Sequence, residues 1–223
     1  MSYVAHVAAA VEDHFRQEGT GHDWQHIYRV WQTAIKLGGE EGANMDIVNL
    51  AALLHEADDY KLVGAEGEKT LPNARKFMAD ANVPQPVAED VCTVIRSIGY
   101  RKTLAGDVTR SLEGNVVSDA DMLDAIGAVG IARTFTYCGG KGFGMFLPDA
   151  LPQEKTKDSY MQGGAPSVTH FFEKLLKLRT LMQTASGKTE ADIRHQRMVA
   201  FLDNFFTEAN APQVWKDLLQ PYS

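Results

Sequence analysis

Apolar side chains recur every three or four residues along most of this 223-residue chain. That period places them on one face of an α-helix, whereas the alternation typical of a half-buried strand is nearly absent. The clearest stretches are residues 4–15, 27–34, 47–54, 87–98, 171–182 and 198–205. A short stretch at Val116 and Val117 could be a strand or could equally open a helix. The pattern predicts an all-α fold.

Proline and polar residues indicate where several predicted helices begin. Pro72 suits the first turn of one helix, and Pro84 opens another. Thr189 with Asp192 resembles a capping box, which predicts a helix start at that point. Residues 138–167 hold many glycines and three prolines, and they show little helical periodicity. Because such long loops are often functional, we expect a loop or lid there. No linker divides the chain, so we predict a single domain, residues 1–223.

The overall charge and composition exclude some classes of function. The net charge is -7, which argues against a protein that binds a nucleic-acid polymer through a basic face. Small phosphorylated substrates remain possible, because a bound cation can supply the positive charge. No apolar run approaches the ~20 residues that span a bilayer, so we expect no membrane association. With only two cysteines and no signal-peptide pattern, the sequence predicts a cytoplasmic protein. It makes no prediction of oligomeric state.

Polar side chains interrupt the apolar helices in three segments, at residues 21–30, 53–61 and 118–127. His22 and His26 are one helical turn apart, a spacing found in metal sites, although two surface histidines at a helix start would look the same. His55 and Glu56 follow the apolar run 51–54. Burying a carboxylate there is unfavourable without a cation or donor, unless the helix simply reaches the surface.

The third segment holds three carboxylates within six positions, Asp119, Asp121 and Asp124. A solvated acidic face is one interpretation. The small residues at 125–132 instead favour close helix packing and burial nearby. Two imidazoles and two carboxylates from three helices would form a mixed nitrogen and oxygen site. Such a site suits Mn, Mg, Co, Ni or Fe more than a thiolate site would, and its open positions can bind phosphate oxygens.

Three blocks in order, residues 21–30, 119–135 and 170–178, resemble the HD-domain superfamily of metal-dependent phosphohydrolases. They are most similar to a bacterial HD subfamily that includes a nucleoside-triphosphate pyrophosphohydrolase. The resemblance implies an HD-type helical bundle that hydrolyses a phosphate ester or anhydride, with a nucleotide as the expected substrate. It assigns a divalent metal ion to four ligands: His26, His55, Glu56 and Asp121.

Other residues receive roles by the same resemblance. Asp59 would position or deprotonate the attacking water, and Glu56 is also placed among the catalytic residues. His22 and Asp23 would orient His26. The residues expected to contact substrate are Arg29, Lys61, Asp124, Arg133, Lys174 and Lys177. The last two would lie at i, i+3 on a helix that begins near Ser167. For each of these cations except Arg29 and Lys61, an ordinary surface charge is the alternative.

Glu56 departs from the family pattern, which has aspartate at this position. Its extra methylene adds a torsion and moves the carboxylate oxygens, so Glu56→Asp is expected to improve metal binding or hydrolysis. The alternatives are a phosphodiesterase or 5′-nucleotidase of the same fold, or a nucleotide-binding protein that has lost catalysis through Glu56. A purely structural helical protein that binds no metal is the remaining possibility.

Overall fold

The computed structural model describes residues 2–16, 23–100, 102, 109–153 and 164–223. All regular secondary structure in these ranges is helical, which confirms the predicted all-α class. The stretch at Val116 and Val117 lies inside a helix. In chain order the α-helices are α1 (Tyr3–Phe15), α2 (Trp24–Glu41), α3 (Met45–Leu54), α4 (Tyr60–Thr70), α5 (Pro72–Asp80), α6 (Gln85–Ser97), α7 (Leu112–Asp124), α8 (Gly127–Gly140), α9 (Ser167–Glu173), α10 (Ala185–Glu208) and α11 (Gln213–Leu219). Two 3₁₀ helices occupy Leu175–Leu181 and Gln220–Tyr222.

The chain divides into two compact units. The first comprises Met1–Asp121 with the short segment Gln183–Gly187, and the second comprises Met122–Met182 with Lys188–Ser223. That the whole chain acts as one domain stays a prediction. None of the described helices is both long enough and apolar enough to cross a lipid bilayer.

Helix α3 lies at the centre of the first unit, where it packs against α1, α2 and α6. It is apolar on nearly every side and buried from Ile47 to Leu54 apart from Asn49, as expected for a core helix. Its start is capped by the Asn44 side chain. Helix α2 ends at Glu41, and the next residue, Gly42, adopts a left-handed conformation with φ 72° that glycine tolerates best. The core therefore places α2, which carries the first polar segment, beside α3, which leads into the second.

Aromatic side chains form the core of the second unit. Phe172 stacks on Phe206, and Trp215 packs against both rings. The indole Nε1 of Trp215 donates a hydrogen bond to the carbonyl of Pro148 at 2.9 Å. This bond ties α11 to the loop that follows α8.

Three predicted boundaries need correction. The helix expected over residues 171–182 breaks at Lys174, whose φ of -136° leaves the helical region, and a 3₁₀ helix follows. Helix α10 begins at Ala185, so the capping box at Thr189 and Asp192 is wrong, and Asp192 pairs with Arg179 instead. Within the loop expected at 138–167, α8 continues to Gly140, and the described residues 141–153 and 164–166 lie outside regular helices. Residues 154–163 of that loop lie outside the described part of the chain, and its action as a lid stays a prediction.

Candidate metal centre

Four side chains of the first unit converge on one point: His26, His55, Glu56 and Asp121. Each offers one nitrogen or oxygen atom, and these four atoms all lie within 4.8 Å of one another. The His26 Nε2 atom lies 3.3 Å from Glu56 Oε1 and 3.4 Å from His55 Nε2. Asp121 Oδ1 completes the group, 3.6 Å from the His26 nitrogen and 3.9 Å from that of His55.

These separations fit the donor atoms of one ion. Two ligands at about 2.1 Å from a metal lie about 3.0 Å apart at right angles and about 4.2 Å apart when opposite. The measured distances fall between these limits. Two carboxylates and two unprotonated imidazole nitrogens that converge in a largely buried place repel one another unless a metal cation or a proton lies between them. Asp121 has 27% of its side chain exposed, against 8% for Glu56, so the cluster opens towards solvent on the Asp121 side.

His26 is placed by the start of α2. The Asp23 side chain caps this helix and accepts a hydrogen bond from the backbone N–H of His26 at 2.9 Å. Asp23, expected to orient the His26 ring, contacts the His26 backbone. The cap fixes where the helix starts, and therefore where the His26 ring enters the core. His22 lies outside the described residues.

His55 and Glu56 lie in the turn that follows α3. The Nδ1–H of His55 donates to the carbonyl of Ala52 at 2.7 Å, within the last turn of α3. A carbonyl only accepts, so this bond assigns the proton to Nδ1 and leaves the Nε2 lone pair directed at the cluster. Glu56 is buried, and its carboxylate reaches the cluster despite having one methylene more than aspartate.

The same turn is held by a residue that sequence reasoning did not single out. Asp58 is buried and accepts hydrogen bonds from the backbone N–H groups of Asn73 and Ala74, at 3.0 and 2.8 Å, where α5 begins. The Asn73 side chain donates back to the carbonyl of Ala57 at 2.9 Å. A helix-capping aspartate normally lies next to the helix that it caps. Asp58 lies 15 residues before Asn73, so the sequence carries only a weak signal for this contact.

Asp121 projects from α7, and a buried neighbour holds that helix. Asp119 is fully buried and accepts hydrogen bonds from the backbone N–H groups of Gln183 and Thr184. The Thr184 hydroxyl donates a further bond at 2.7 Å. Burial raises the pKa of Asp119 even though these donors oppose the shift. Asp119 therefore serves a helix start and is not part of the cluster.

Three further residues of the first unit were expected to act on water or substrate: Asp59, Arg29 and Lys61. Asp59 is half-buried beside the Glu56 turn but is not one of the four converging residues. Arg29 is half-buried, one turn after His26 on α2. The side chain of Lys61 lies outside the described part of the chain. Their roles towards water and substrate stay predictions.

The other proposed substrate contacts lie in the second unit. Arg133 Nη1 contacts the Asp124 carboxylate at 2.5 Å and the Asp124 carbonyl at 3.3 Å, so these two residues bind each other at the end of α7. Lys174 lies where α9 ends, and Lys177 is exposed on the 3₁₀ helix. The expectation that the two lysines share one α-helix is therefore wrong, because the backbone leaves the helical region at Lys174. Their contact with substrate, and that of Asp124 and Arg133, stays a prediction.

Comparison with known families and proteins shows which family the chain is similar to. The HD domain family profile matches residues 23–126, a range that contains all four converging residues. The uncharacterised protein YpgQ of Bacillus subtilis is 34% identical over 195 residues, which is 86% of each chain.

Solved structures of bacterial proteins are similar to this chain over nearly its whole length. A Lactobacillus plantarum protein has 33% identity and a TM-score of 0.80, and the match covers 94% of this chain and 98% of that one. An HD-superfamily hydrolase from Bacillus thuringiensis has 36% identity and a TM-score of 0.73, with 94% and 97% covered. Bacillus subtilis YpgQ in complex with ADP has 30% identity and a TM-score of 0.69, with 92% and 97% covered.

Proposed function

Because this chain belongs to the HD-domain family, we propose that it hydrolyses a phosphate ester or anhydride with a divalent ion held by His26, His55, Glu56 and Asp121. The observation that carries the proposal is the convergence of four donor atoms within 4.8 Å. Mn, Mg, Co, Ni and Fe all suit this set of two imidazoles and two carboxylates.

The residues of the site divide the chemistry among them. When bound, a divalent ion supplies Lewis-acid polarisation of a phosphoryl oxygen and positive charge against the charge that develops during hydrolysis. The Nδ1–H bond of His55 to Ala52 keeps its ring in the tautomer that a ligand needs. Asp59, beside the Glu56 turn, holds the attacking water and accepts its proton. Arg29 and Lys61 contact the phosphate oxygens, because guanidinium and ammonium groups pair well with them.

A nucleotide is the proposed substrate, with a nucleoside triphosphate split into the monophosphate and pyrophosphate. Support comes from the resemblance of the three sequence blocks and from the crystal structure of YpgQ with ADP. Nucleotide binding without turnover is the second candidate, since Glu56 stands where the family pattern has aspartate. A phosphodiesterase or 5′-nucleotidase of the same fold is distinguished by its products.

The decisive experiment is a hydrolysis screen over nucleoside mono-, di- and triphosphates and cyclic nucleotides, supplemented in turn with Mn, Mg, Co or Ni. Pyrophosphate as product supports the proposal, inorganic phosphate points to a nucleotidase, and a monoester from a cyclic nucleotide points to a phosphodiesterase. Elemental analysis of the same samples should give about one ion per chain. No metal uptake and no turnover under any condition would overturn the proposal.

Two variants and two matched controls connect activity to the cluster. His55→Ala and Asp121→Ala should abolish metal uptake and hydrolysis while circular dichroism keeps its helical signal. His6→Ala and Asp90→Ala change the same residue types at exposed positions and should behave as wild type. If either cluster variant takes up metal normally, its assignment as a ligand is wrong.

A further inference from the structure

Asp119 gathers four hydrogen-bond contacts from two successive residues far along the chain. Both of its carboxylate oxygens accept from Gln183 N–H, at 3.0 and 3.1 Å. Its Oδ2 atom also accepts from the Thr184 N–H at 2.8 Å and from the Thr184 hydroxyl at 2.7 Å. Asp119 is fully buried and lies two residues before Asp121 on α7. The position of Asp121 is therefore linked to the segment Gln183–Gly187, which we name the α10 clasp.

The α10 clasp also holds the helix that carries His26. The backbone N–H of Ser186 donates to the Glu41 carboxylate at 2.7 Å. Glu41 is the last residue of α2, whose first turn contains His26. The clasp thus forms hydrogen bonds with α2, which carries His26, and with α7, which carries Asp121.

Gly187 permits this close approach. A Cβ atom at residue 187 would lie 2.3 Å from Asp119 Oδ2 and 2.6 Å from Thr184 Oγ1. Real side chains do not come this close, so a larger residue would displace the carboxylate or the hydroxyl. The Gly187 N–H in turn donates to Thr184 Oγ1 at 3.0 Å. Thr184 therefore caps α10 and donates to Asp119 with the same hydroxyl.

We propose that Asp119 and Thr184 are positioning residues for the metal centre, which they serve by holding Asp121 at the distance the other ligands require. The inference rests on the proposed function, because it concerns the same ion. Metal ions are intolerant of misplaced oxygens. Loss of a group hydrogen-bonded directly to a ligand typically weakens metal affinity 10- to 100-fold, and a group that acts through the helix backbone is expected at the lower end of that range. A helix cap with no role at the site would change stability and leave metal affinity unchanged.

The test compares Thr184→Val with Thr184→Ser in the full chain. Mn²⁺ affinity is measured by calorimetry well below the melting temperature, and metal-free stability is measured in parallel. Thr184→Val should weaken Mn²⁺ binding about tenfold, and Thr184→Ser, which keeps the hydroxyl, should restore it. The matched control is Thr169→Val, which removes a buried hydroxyl bonded to Ala150 O at 2.8 Å in the second unit. This control should lose stability without losing Mn²⁺ affinity.

Each outcome has a distinct meaning. Wild-type Mn²⁺ affinity in Thr184→Val, with normal binding by the unaltered protein, overturns the positioning role and leaves the proposed function standing. Absence of Mn²⁺ binding by the unaltered protein overturns both. If Thr184→Val does not fold, Asp119→Asn takes its place, because the amide keeps only one oxygen to accept the hydrogen bonds that Gln183 and Thr184 donate to Asp119. An Mn²⁺ affinity several-fold weaker in that variant supports the clasp, and an unchanged affinity overturns it.

Discussion

Asp58 and Asp119 have equivalent roles in two different regions of the first unit. Each is buried two residues from a carboxylate of the cluster, and each accepts hydrogen bonds from the start of another helix. They differ in reach: the partners of Asp58 lie 15 and 16 residues away, and those of Asp119 lie 64 and 65 residues away. In each region, one of two nearby acidic residues lies in the cluster and the other accepts hydrogen bonds from the start of a helix.

The largest effect should come from breaking the long-range contact. Asp119→Ala leaves the Gln183 and Thr184 N–H groups and the Thr184 hydroxyl without their acceptor, two of these bonds being buried. We expect a loss of about 4 kcal/mol in the free energy of unfolding of the metal-free protein. Urea unfolding measures it, with exposed Asp90→Ala as a control that should change stability by less than about 0.5 kcal/mol. A similar small change in both variants would show that Asp119 is dispensable to the fold.

Breaking the shorter contact should have a smaller effect. Asp58→Ala removes the acceptor for two N–H groups, and the Asn73 group is only part-buried, so water can replace the lost bond there. A loss of about 2 kcal/mol is expected, as for a strong helix cap. The same urea measurement decides the order. A greater loss at Asp58 than at Asp119 would contradict the conclusion that buried long-range bonds dominate.

The third prediction concerns Glu56, the carboxylate of the cluster that lies two residues before Asp58. The expectation drawn from the sequence for Glu56→Asp stays a prediction, and the 3.3 Å between Glu56 Oε1 and His26 Nε2 favours its alternative, a site adapted to glutamate. The shorter side chain withdraws its oxygen from the cluster. We expect Mn²⁺ affinity to fall about tenfold, or ~1.4 kcal/mol, with little change in metal-free stability. Calorimetric titration of both proteins is the measurement, and tighter binding by the aspartate variant would support the expectation drawn from the sequence.

The smallest effect concerns an exposed contact between α5 and α6. Arg75 donates two hydrogen bonds to Glu89, at 2.8 and 2.9 Å, and these hold the pKa of Glu89 below its usual range. A lowered pKa in the folded state means that the pair stabilises the protein above the ordinary glutamate pKa and loses this effect as pH falls through the lowered value.

Glu89→Gln should therefore melt slightly below wild type at pH 7, and the two melting curves should coincide in acid. Thermal melting across pH 3 to 7 gives the comparison. A difference between the two proteins that grows on acidification would contradict the sign. Glu89 and Asp58 each accept two hydrogen bonds from one partner region. A smaller loss of stability at exposed Glu89 would therefore show that burial governs the loss at Asp58 and Asp119.

Much of the site was accessible from sequence because helical periodicity and residue type are local properties. The spacing of apolar residues predicts the helices, and the resemblance to the HD family assigns His26, His55, Glu56 and Asp121 to one site, where the structure brings them together. The break at Lys174 was missed because neither glycine nor proline marks it. The true start of α10 was missed because its cap, Thr184, bonds to a residue in another helix.

What the sequence determined by itself is the helical class and the position of most helices, since these follow from periods of three to four residues, and the resemblance to the HD family assigned the four converging residues. Only the tertiary structure decided what the acidic residues beside the cluster do. Asp121 reaches the cluster, whereas Asp119, two positions earlier on the same helix, turns to the α10 clasp. The physical reason is that a buried carboxylate can be stabilised either by a cation or by backbone N–H donors. Which of the two it meets depends on partners that the fold brings from 64 or more residues away.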